Sequence, residues 1–309
     1  MRVRRGLFFL AVLAACLGVA AAGAATKVTI PARSGVTALA ADGTDTSFAT
    51  MSTISDCDRV FVWQATTRRT VQLGKKQRCR GKSSGITSLA VTGGRALWLT
   101  ETGTPLAAVR LWTATAAKPT PRPLETATRD IQSTDPEPIL VGAAGGGLLP
   151  YAMDDTVTVL RANGKVAFPS WTASGRVVAM SARNGNVAVA QEGARVTVLD
   201  SNGHILSVDL FSSEVSAVAL TAKGLLVQRG TTLELRRGQA ESRLFPVPAT
   251  AQLDDADSRW AVWSDGKLVH VIRLPDGLAV GAYPGTSASL AGNTLYVAHG
   301  KTITIRTLR

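Results

Sequence analysis

From residue 26 onward, apolar and polar residues alternate in short runs that are separated by Gly, Asn, Asp and Pro. Alternation with a period of two predicts strands with one buried face, and the separating residues are typical of turns. In the clearest stretch four runs follow one another: VVAMSAR at 177–183, NVAVAQE at 186–192, RVTVLDS at 195–201 and ILSVDLF at 205–211. Asn184-Gly185 and Asn202-Gly203 join two pairs of these runs, and Asn-Gly is a favoured two-residue hairpin turn. The stretch therefore predicts an up-and-down sheet of four strands.

Comparable units recur along the chain, and they begin near residues 36, 86, 138, 177, 215, 250 and 287. Self-similarity with a period of about 35 to 52 residues is typical of propellers and of other repeat architectures. Because most units supply four runs, we expect an all-β fold, a β-propeller of four-stranded blades. A pair of β-sandwiches or an open array of β-repeats is the alternative.

The last unit supplies only three runs, which are SASLAG at 287–292, TLYVAHG at 294–300 and TITIRTL at 302–308. The run KVTIPA at 27–32 belongs to no unit. If this run paired with residues 302–308, it would complete the last sheet and cover an exposed edge. We therefore predict one domain, residues 26–309, with seven four-stranded blades and with the N-terminal strand closing the last blade.

Residues 186–211 and 259–277 resemble the repeats of quinoprotein-alcohol-dehydrogenase-like and Trp-Asp-repeat-like propellers. The shared features are a strand, a short turn, a strand that ends in Leu-Asp, an Asn-Gly-type turn and a further strand. No unit carries a Gly-His…Trp-Asp signature, and the quinone-binding residues of such enzymes cannot be placed in this sequence. The resemblance therefore implies a fold and leaves function open.

The first 25 residues have the three parts of a secretory signal peptide. They are a basic start at Met1–Arg5, an apolar run at Gly6–Val19 and small residues at Ala20–Ala25. Cleavage after Ala24 or Ala25 fits the preference for small residues. We expect residues 1–25 to be a signal peptide and the mature chain to be secreted, periplasmic or held in the cell envelope.

Three alternatives compete for the same segment. An uncleaved segment would act as a membrane anchor, since the apolar stretch approaches the spanning length. Leu13–Cys16 resembles a lipobox, which would make an acylated Cys16 the first residue of a lipoprotein. Leu17–Ala25 stays apolar, whereas lipoprotein signals usually turn polar after the cysteine. Arg4-Arg5 resembles a loose twin-arginine signal, but the strongly apolar core favours the general secretory route.

Two cysteines remain after the signal peptide, Cys57 and Cys79. A pair of cysteines in an exported chain predicts a disulfide. Antiparallel pairing of the strand-like runs at 59–66 and 70–73 would bring the two cysteines close. Two independent free thiols are the alternative.

The formal net charge is +12, and the basic residues are scattered, with the densest cluster between Arg68 and Lys82. A basic surface attracts polyanions. Few aromatic residues interleave with the cluster, so specific nucleic-acid binding is not expected. We expect a monomer whose partner is a protein or an anionic cell-envelope polymer, with membrane attachment only if Cys16 is lipidated.

No residue is assigned a catalytic, cofactor or metal-binding role from the sequence. His204, His270 and His299 have no metal-ligand spacing and fit surface or strand positions. The run Asp254–Asp257 offers oxygen ligands for a cation such as calcium, but it lacks the spacing of a dedicated loop and fits a blade-edge turn. Gly142–Gly147 is expected to form a flexible turn, since no Lys-Ser/Thr follows it.

Residues 116–138 are rich in proline and charge, and they predict a long extended connection between the second and third units. These observations favour a non-catalytic extracytoplasmic β-propeller scaffold that binds a protein or an envelope polymer. The alternative is a propeller enzyme with its site in the central channel. Converging Asp, Glu and His at the channel would favour the enzyme, whereas Ser, Thr and Ala would favour the scaffold.

Overall fold

The computed structural model describes residues 26–29, 35–43, 45–50, 59–74, 84–103, 105–134, 136–238 and 241–309. The regular secondary structure of these residues consists of strands. In chain order the strands are β1 (Thr26–Thr29), β2 (Val36–Ala41), β3 (Asp45–Thr50), β4 (Arg59–Gln64), β5 (Arg69–Leu73), β6 (Ser84–Thr92), β7 (Arg95–Thr102), β8 (Leu106–Thr115), β9 (Lys118–Asp130), β10 (Ile139–Val141), β11 (Leu148–Met153), β12 (Thr156–Arg161), β13 (Trp171–Thr172), β14 (Val177–Arg183), β15 (Asn186–Gln191), β16 (Arg195–Leu199), β17 (Ile205–Leu210), β18 (Ala217–Thr221), β19 (Gly224–Arg229), β20 (Thr232–Arg237), β21 (Glu241–Pro246), β22 (Gln252–Ala256), β23 (Trp260–Ser264), β24 (Leu268–Arg273), β25 (Ala279–Pro284), β26 (Ser287–Ala291), β27 (Thr294–His299) and β28 (Thr302–Thr307).

The strands form seven four-stranded sheets. Six sheets are consecutive quartets, β2–β5, β6–β9, β10–β13, β14–β17, β18–β21 and β22–β25, and the remaining sheet has the order β1-β28-β27-β26. Neighbouring strands in each sheet are antiparallel, so every sheet is an up-and-down meander. The last sheet differs because its outermost strand comes from the other end of the chain.

The inner strands of the sheets, β2, β6, β10, β14, β18, β22 and β26, lie side by side around a central channel. Each contacts the inner strand of the next sheet, and β26 contacts β2. The prediction of an all-β β-propeller is therefore confirmed. The predicted pairing of the N-terminal run with the last strand is also confirmed, since β1 pairs with β28 from Thr26↔Ile305 to Thr29↔Thr302.

Buried aliphatic side chains fill the space between neighbouring sheets. Between β6–β9 and β10–β13, for example, Leu97, Leu111, Ile139 and Leu149 are completely buried. Equivalent clusters lie between the other neighbouring sheets. Because apolar burial stabilises by roughly 25 cal/mol per Å², these clusters hold the sheets together and fix the positions of the turns.

Two local predictions are wrong. Residues 118–130 do not form a loop, because they continue the second sheet as the outermost strand β9. Proline lacks an amide hydrogen, but an edge strand tolerates it because one side of the strand needs no partner. The turn near Asn202-Gly203 is also longer than two residues, since Leu199 pairs with Ile205. Asp200 stabilises that longer turn by accepting hydrogen bonds from the amides of Asn202 and His204.

Several predictions fall on residues that the structure does not describe. They concern the signal peptide at 1–25 with Cys16, and the disulfide between Cys57 and Cys79. The two runs expected to bring Cys57 and Cys79 together do pair antiparallel, as β4 and β5. Within the described ranges, no helix is long and apolar enough to cross a membrane.

The ring has two faces, which are defined by the direction of the inner strands. The exit face is the end where inner strands finish. It carries the turns from first to second strands and from third to fourth strands of each sheet. The far face is the end where inner strands begin. This division follows from the up-and-down order of every sheet.

Candidate functional site: the central channel and the exit face

The central channel opens at the exit face into a cavity of about 380 Å³. A second cavity of about 320 Å³ lies deeper in the channel. Small residues, mainly Ala, Gly and Ser, dominate the walls of both cavities. The charged side chains on these walls are Asp42, Arg183, Asp254 and Asp255. The composition thus combines a scaffold-like wall with one acidic pair.

The structure places the acidic run differently from the sequence prediction. Asp254 and Asp255 belong to the inner strand β22, so their assignment to a blade-edge turn is wrong. A register shift between Leu253 and Asp255 inserts Asp254 into the strand, and both carboxylates border the channel. Asp257 does lie in a turn, where its Oδ1 accepts hydrogen bonds from the amides of Arg259 and Trp260.

Asp255 joins neighbouring inner strands. Its Oδ2 accepts hydrogen bonds from the Ser289 hydroxyl at 3.0 Å and from the Leu290 amide at 2.8 Å. The Ser289 oxygen in turn accepts a hydrogen bond from the amide of Ala41 at 3.1 Å. The inner strands β22, β26 and β2 are therefore tied together by side chains in the channel wall.

Arg183 and Ser181 do the same on the other side of the channel. Nη1 of Arg183 donates to the carbonyl oxygen of Ala256 at 2.6 Å and to that of Leu220 at 3.4 Å. The Ser181 hydroxyl accepts a hydrogen bond from the Leu220 amide at 3.1 Å. Polar groups in this part of the wall are thus engaged with neighbouring inner strands.

The two channel carboxylates have raised pKa values. Burial raises the pKa of Asp254 to about 7, against a hydrogen bond from Ser264, and the charge of Asp255 adds to the rise. Burial also raises the pKa of Asp255 to about 6, although hydrogen bonds from Leu290 and Ser289 oppose the rise. The Oδ1 of Asp254 accepts from the Ser264 hydroxyl at 3.1 Å. Its Oδ2 is buried without a hydrogen-bond partner among the described residues.

The acidic pair does not make a metal site with its described neighbours. A calcium ion takes six to eight oxygen ligands, and several of them are usually carboxylates. In the part of the chain that the structure describes, no three His, Cys, Asp or Glu side chains come together in a way that would hold a metal ion. The charge of Asp255 acts on Asp254, and both carboxylates accept hydrogen bonds from neighbouring strands.

The glycine-rich run 142–147 is a close contact between sheets, so the predicted flexible turn is wrong for most of it. A Cβ atom on Gly142 would lie 2.5 Å from the Cβ of Met180, and one on Gly145 would lie 2.3 Å from the carbonyl oxygen of Ala182. Ala143 donates to the carbonyl oxygen of Met180 at 2.9 Å. Gly146 and Gly147, both with positive φ, then make the tight turn into β11.

The three histidines lie on three different sheets and do not converge. His204 belongs to the turn before β17, where its Nδ1 lies 3.2 Å from Asp200. His270 stacks on Trp263 with ring centroids 3.8 Å apart. His299 ends β27 and is exposed. Their placement agrees with the surface and strand positions expected from the sequence.

A buried ionic cluster outside the channel was not predicted from the sequence. Glu234 on β20 accepts hydrogen bonds from Arg229, from Arg236 at 2.9 Å and from the Ser242 hydroxyl at 2.9 Å. Burial raises its pKa, but these hydrogen bonds outweigh burial and hold the pKa below its usual value. Arg236 also donates to the carbonyl oxygen of Leu210 at 2.9 Å. The cluster thus ties the sheet β18–β21 to the sheet β14–β17.

The sequence also contains an overlooked match to a catalytic pattern. Residues 81–85 read Gly-Lys-Ser-Ser-Gly, which fits the G-x-S-x-G pattern of the hydrolase nucleophile elbow. Such an elbow places its serine on a turn from a strand into a helix. Here the chain enters β6 at Ser84 and remains a strand to Thr92, while Ser83 lies outside the described residues. The context that follows the serine therefore differs from an elbow.

The exit face gathers basic side chains from every sheet. Its described Arg and Lys residues are Arg68, Arg69, Arg95, Lys118, Arg122, Arg161, Lys165, Arg183, Lys223, Arg237, Arg259, Arg273 and Arg309. Apart from Asp255 in the channel, the carboxylates there whose side chains the structure describes are Asp42, Asp200, Asp257 and Asp276, and each accepts a hydrogen bond from a backbone amide. At the far face the charges of the described residues nearly balance. The carboxylates there are Glu101, Asp130, Glu137, Asp154, Asp155, Glu192, Glu214 and Asp265, and the basic residues are Arg129, Arg176, Arg195, Arg229, Lys267 and Lys301. The described residues therefore have a net positive charge at the exit face and almost none at the far face.

Known structures share this ring. The WD40 β-propeller domain of Doa1 is similar with a TM-score of 0.59 at 11% identity, and the match covers 93% of this chain and 97% of that chain. The chain has a WD40-like β-propeller fold. A chain of the mitotic checkpoint complex is similar with a TM-score of 0.58 at 10% identity, over 92% of this chain and 95% of that one. The resemblance to Trp-Asp-repeat propellers is thus confirmed for the fold.

A further similar structure is Raptor from Chaetomium thermophilum, with a TM-score of 0.53 and 14% identity. The match covers 90% of this chain but only 30% of Raptor, so this propeller corresponds to a part of that larger protein. No protein-family model and no curated protein matches the sequence. At these identities the likeness shows the fold alone, because one fold hosts many functions.

Proposed function

We propose that this chain is an extracytoplasmic, non-catalytic β-propeller scaffold that binds a protein or an anionic envelope polymer on its outer surface. The observation that carries the proposal is the use of the channel side chains. Ser181, Arg183, Asp255 and Ser289 are hydrogen-bonded to neighbouring inner strands. Because these side chains are engaged in holding the ring together, their use supports recognition on the faces and outer strands of the ring.

The similar structures support a binding role in general terms. One of them is a chain of the mitotic checkpoint complex, so a ring of this kind can serve inside a protein assembly. The seven four-stranded sheets support a rigid ring of seven blades that is closed by the N-terminal strand. A rigid scaffold that displays variable turns is a common platform for binding.

The extracytoplasmic location rests on the signal-like pattern of residues 1–25 and on the pair Cys57 and Cys79. N-terminal sequencing of the exported chain tests it, and we expect the mature chain to start near Thr26. Mass mapping without reductant should find Cys57 and Cys79 bonded. A start at an acylated Cys16 would replace the secreted form by a lipoprotein, and a chain retained in the cytoplasm would reject the location.

The binding role is tested by capture from envelope extract at low and high salt. We expect specific partners that are retained by the folded protein and lost after heat denaturation. The same extract should show no consumption of polymer or release of small products beyond that of a buffer control. Saturable turnover by the folded protein would reject the non-catalytic role.

The acidic pair favours one second candidate, an enzyme with its site in the central channel. Asp254 and Asp255 have pKa values near neutrality, and such values suit general acid–base catalysis. If turnover is found, Asp254→Asn should abolish it without a change in the capture of partners. Turnover that persists in Asp254→Asn would place the reaction elsewhere.

A further inference from the structure

Two arginines on the exit face, Arg95 and Arg122, are both neighbours of Thr113. Arg95 begins β7, and its Nη1 donates to the Thr113 hydroxyl at 3.1 Å. Thr113 on β8 is the register partner of Arg122 on β9. Directly opposed residues of antiparallel strands point to the same side of a sheet. The two guanidinium groups therefore share one side of the sheet β6–β9.

The neighbouring sheet adds two more basic residues at the same place. Nε of Arg95 donates to the carbonyl oxygen of Ala162 at 2.8 Å, across the boundary between the two sheets. Ala162 belongs to the turn that carries Arg161 and Lys165, both of which are exposed. We call the five residues Arg95, Lys118, Arg122, Arg161 and Lys165 the basic seam.

Positive charge in the basic seam is not neutralised by described side chains. Burial lowers the pKa of Arg95, and the nearby charge of Arg122 lowers it further. Among the described ion pairs, none involves a residue of the seam. Arg95 is fixed by hydrogen bonds to a neutral hydroxyl and a carbonyl, and the like charge of Arg122 lies nearby, so a bound anion would be favoured there.

We propose that the basic seam binds a linear polymer of phosphate groups that carries no bases. This inference rests on the proposed scaffold function, and it specifies the partner of the scaffold and the face that binds it. The planar guanidinium fork matches the oxygens of phosphate in a bidentate way. Several phosphates of one polymer can contact the seam and the rest of the basic exit face at the same time, which raises the affinity. Repeated phosphates would lie along the boundary between β6–β9 and β10–β13.

The seam lacks the features that would favour a nucleic acid or a membrane. The turn segments 93–95, 115–122 and 161–166 contain no aromatic residue on which a base would stack. They contain one exposed aliphatic side chain, Val166. A single aliphatic group offers little area for insertion into lipid. Charge complementarity without stacking or insertion therefore favours a base-free polyanion.

The test compares two double variants with equal changes of charge. The seam variant is Lys118→Glu with Arg122→Glu, and the control is Lys267→Glu with Lys301→Glu at the far face. All four residues are exposed, and unfolding curves should show that both proteins fold. Binding of long-chain inorganic polyphosphate is measured by calorimetry at several salt concentrations. Oligothymidylate and vesicles of anionic phospholipid are measured in parallel.

We expect polyphosphate to bind the parent and to weaken as salt rises, since neutralised phosphates release counterions. The seam variant should lose about tenfold or more in affinity, and the control should stay within about twofold, because bulk charge is screened beyond about 10 Å. Equal losses in both variants, no binding to the parent, or tighter binding of oligothymidylate or vesicles would overturn the proposal.

The length of the recovered polyphosphate shows whether the protein only binds the polymer or also cleaves it. This measurement distinguishes a failure of the seam proposal from a failure of the non-catalytic scaffold. Polymer that is bound and recovered intact supports both. Polymer that is shortened rejects the non-catalytic scaffold, whatever the seam variant does. A parent that captures a protein partner but no polyphosphate keeps the scaffold and rejects the seam.

Discussion

The Oδ2 atom of Asp255 lies 3.0 Å from the hydroxyl oxygen of Ser289, and this contact joins the inner strands β22 and β26. Ser289 is itself bonded to the amide of Ala41, so one carboxylate supports three consecutive sheets. The contact forms in the wall of the channel, where Asp255 is partly buried. It is the clearest case of a channel group that serves the ring.

The contact predicts energetic coupling between the two residues. Asp255→Ala should lower the free energy of unfolding by about 2 to 4 kcal/mol, because buried amide and hydroxyl donors lose their acceptor. In a double-mutant cycle with Ser289→Ala, urea unfolding should give a coupling of about 0.5 to 1.5 kcal/mol. Glu192→Ala, at an exposed far-face position, is the control and should change little. Additive effects of Asp255→Ala and Ser289→Ala would contradict the contact.

The raised pKa values predict an unusual dependence of stability on pH. The folded pKa values of Asp254, about 7, and Asp255, about 6, lie above the unfolded value, which is about 3.9. Between these values the native state binds more protons than the unfolded state, so this contribution to stability is lost as pH rises from about 4 to about 7.

Asp254→Asn removes the ionisable group that carries the larger part of this effect. At pH 8 the variant should be more stable than the parent by on the order of 2 kcal/mol, and near pH 4 the difference should shrink. Denaturant midpoints across this pH range provide the measurement. Parallel pH profiles for variant and parent would show that Asp254 ionises normally.

The contact at Gly142 predicts a steric penalty. Gly142→Ala would place a methyl group 2.5 Å from the Cβ of Met180, so one strand must shift. We expect a loss of about 1 to 3 kcal/mol in unfolding free energy, as for other overpacked cores. Gly175→Ala is the matched control, because its new atom would meet only the carbonyl oxygen of Glu192 at 3.5 Å. Equal stabilities of the two variants would show that the sheets separate easily.

The pairing of β1 with β28 predicts that the N-terminal strand is needed for stability. Deletion of residues 26–32 would uncover the edge of β28 and remove its backbone hydrogen bonds. The melting temperature should fall by about 10 °C or more relative to a chain that lacks only residues 1–25. A terminal tail without this role would be removable at almost no cost, and equal melting temperatures would point to such a tail.

The strands were predictable because alternation reports directly on which side of a strand is buried. The runs at 177–183 and 186–192 agree with β14 and β15 within one residue. The inner-strand position of Asp254 and Asp255 was not predictable in this way. Consecutive carboxylates look like a turn, and their burial depends on Ser264, on Ser289 and on a register shift that no local pattern reveals.

The basic exit face was not predicted from the sequence for a different reason. Arg95, Lys118 and Lys165 are far apart in the chain and look scattered. They meet because every second connection of an up-and-down sheet lies on the same face of the ring. Once the strands are assigned, the end of the strand at which each basic residue lies is enough to identify the face.

The central claim is that recognition takes place on the exit face and not in the channel. Hydrogen–deuterium exchange of the protein, with and without long-chain polyphosphate, tests it most directly. We expect slower exchange in the exit-face turns around Arg95, Lys118 and Lys165, with β22 and β26 unchanged. Slower exchange confined to β22 and β26, or to the far-face turns at 192–194 and 300–301, would contradict it.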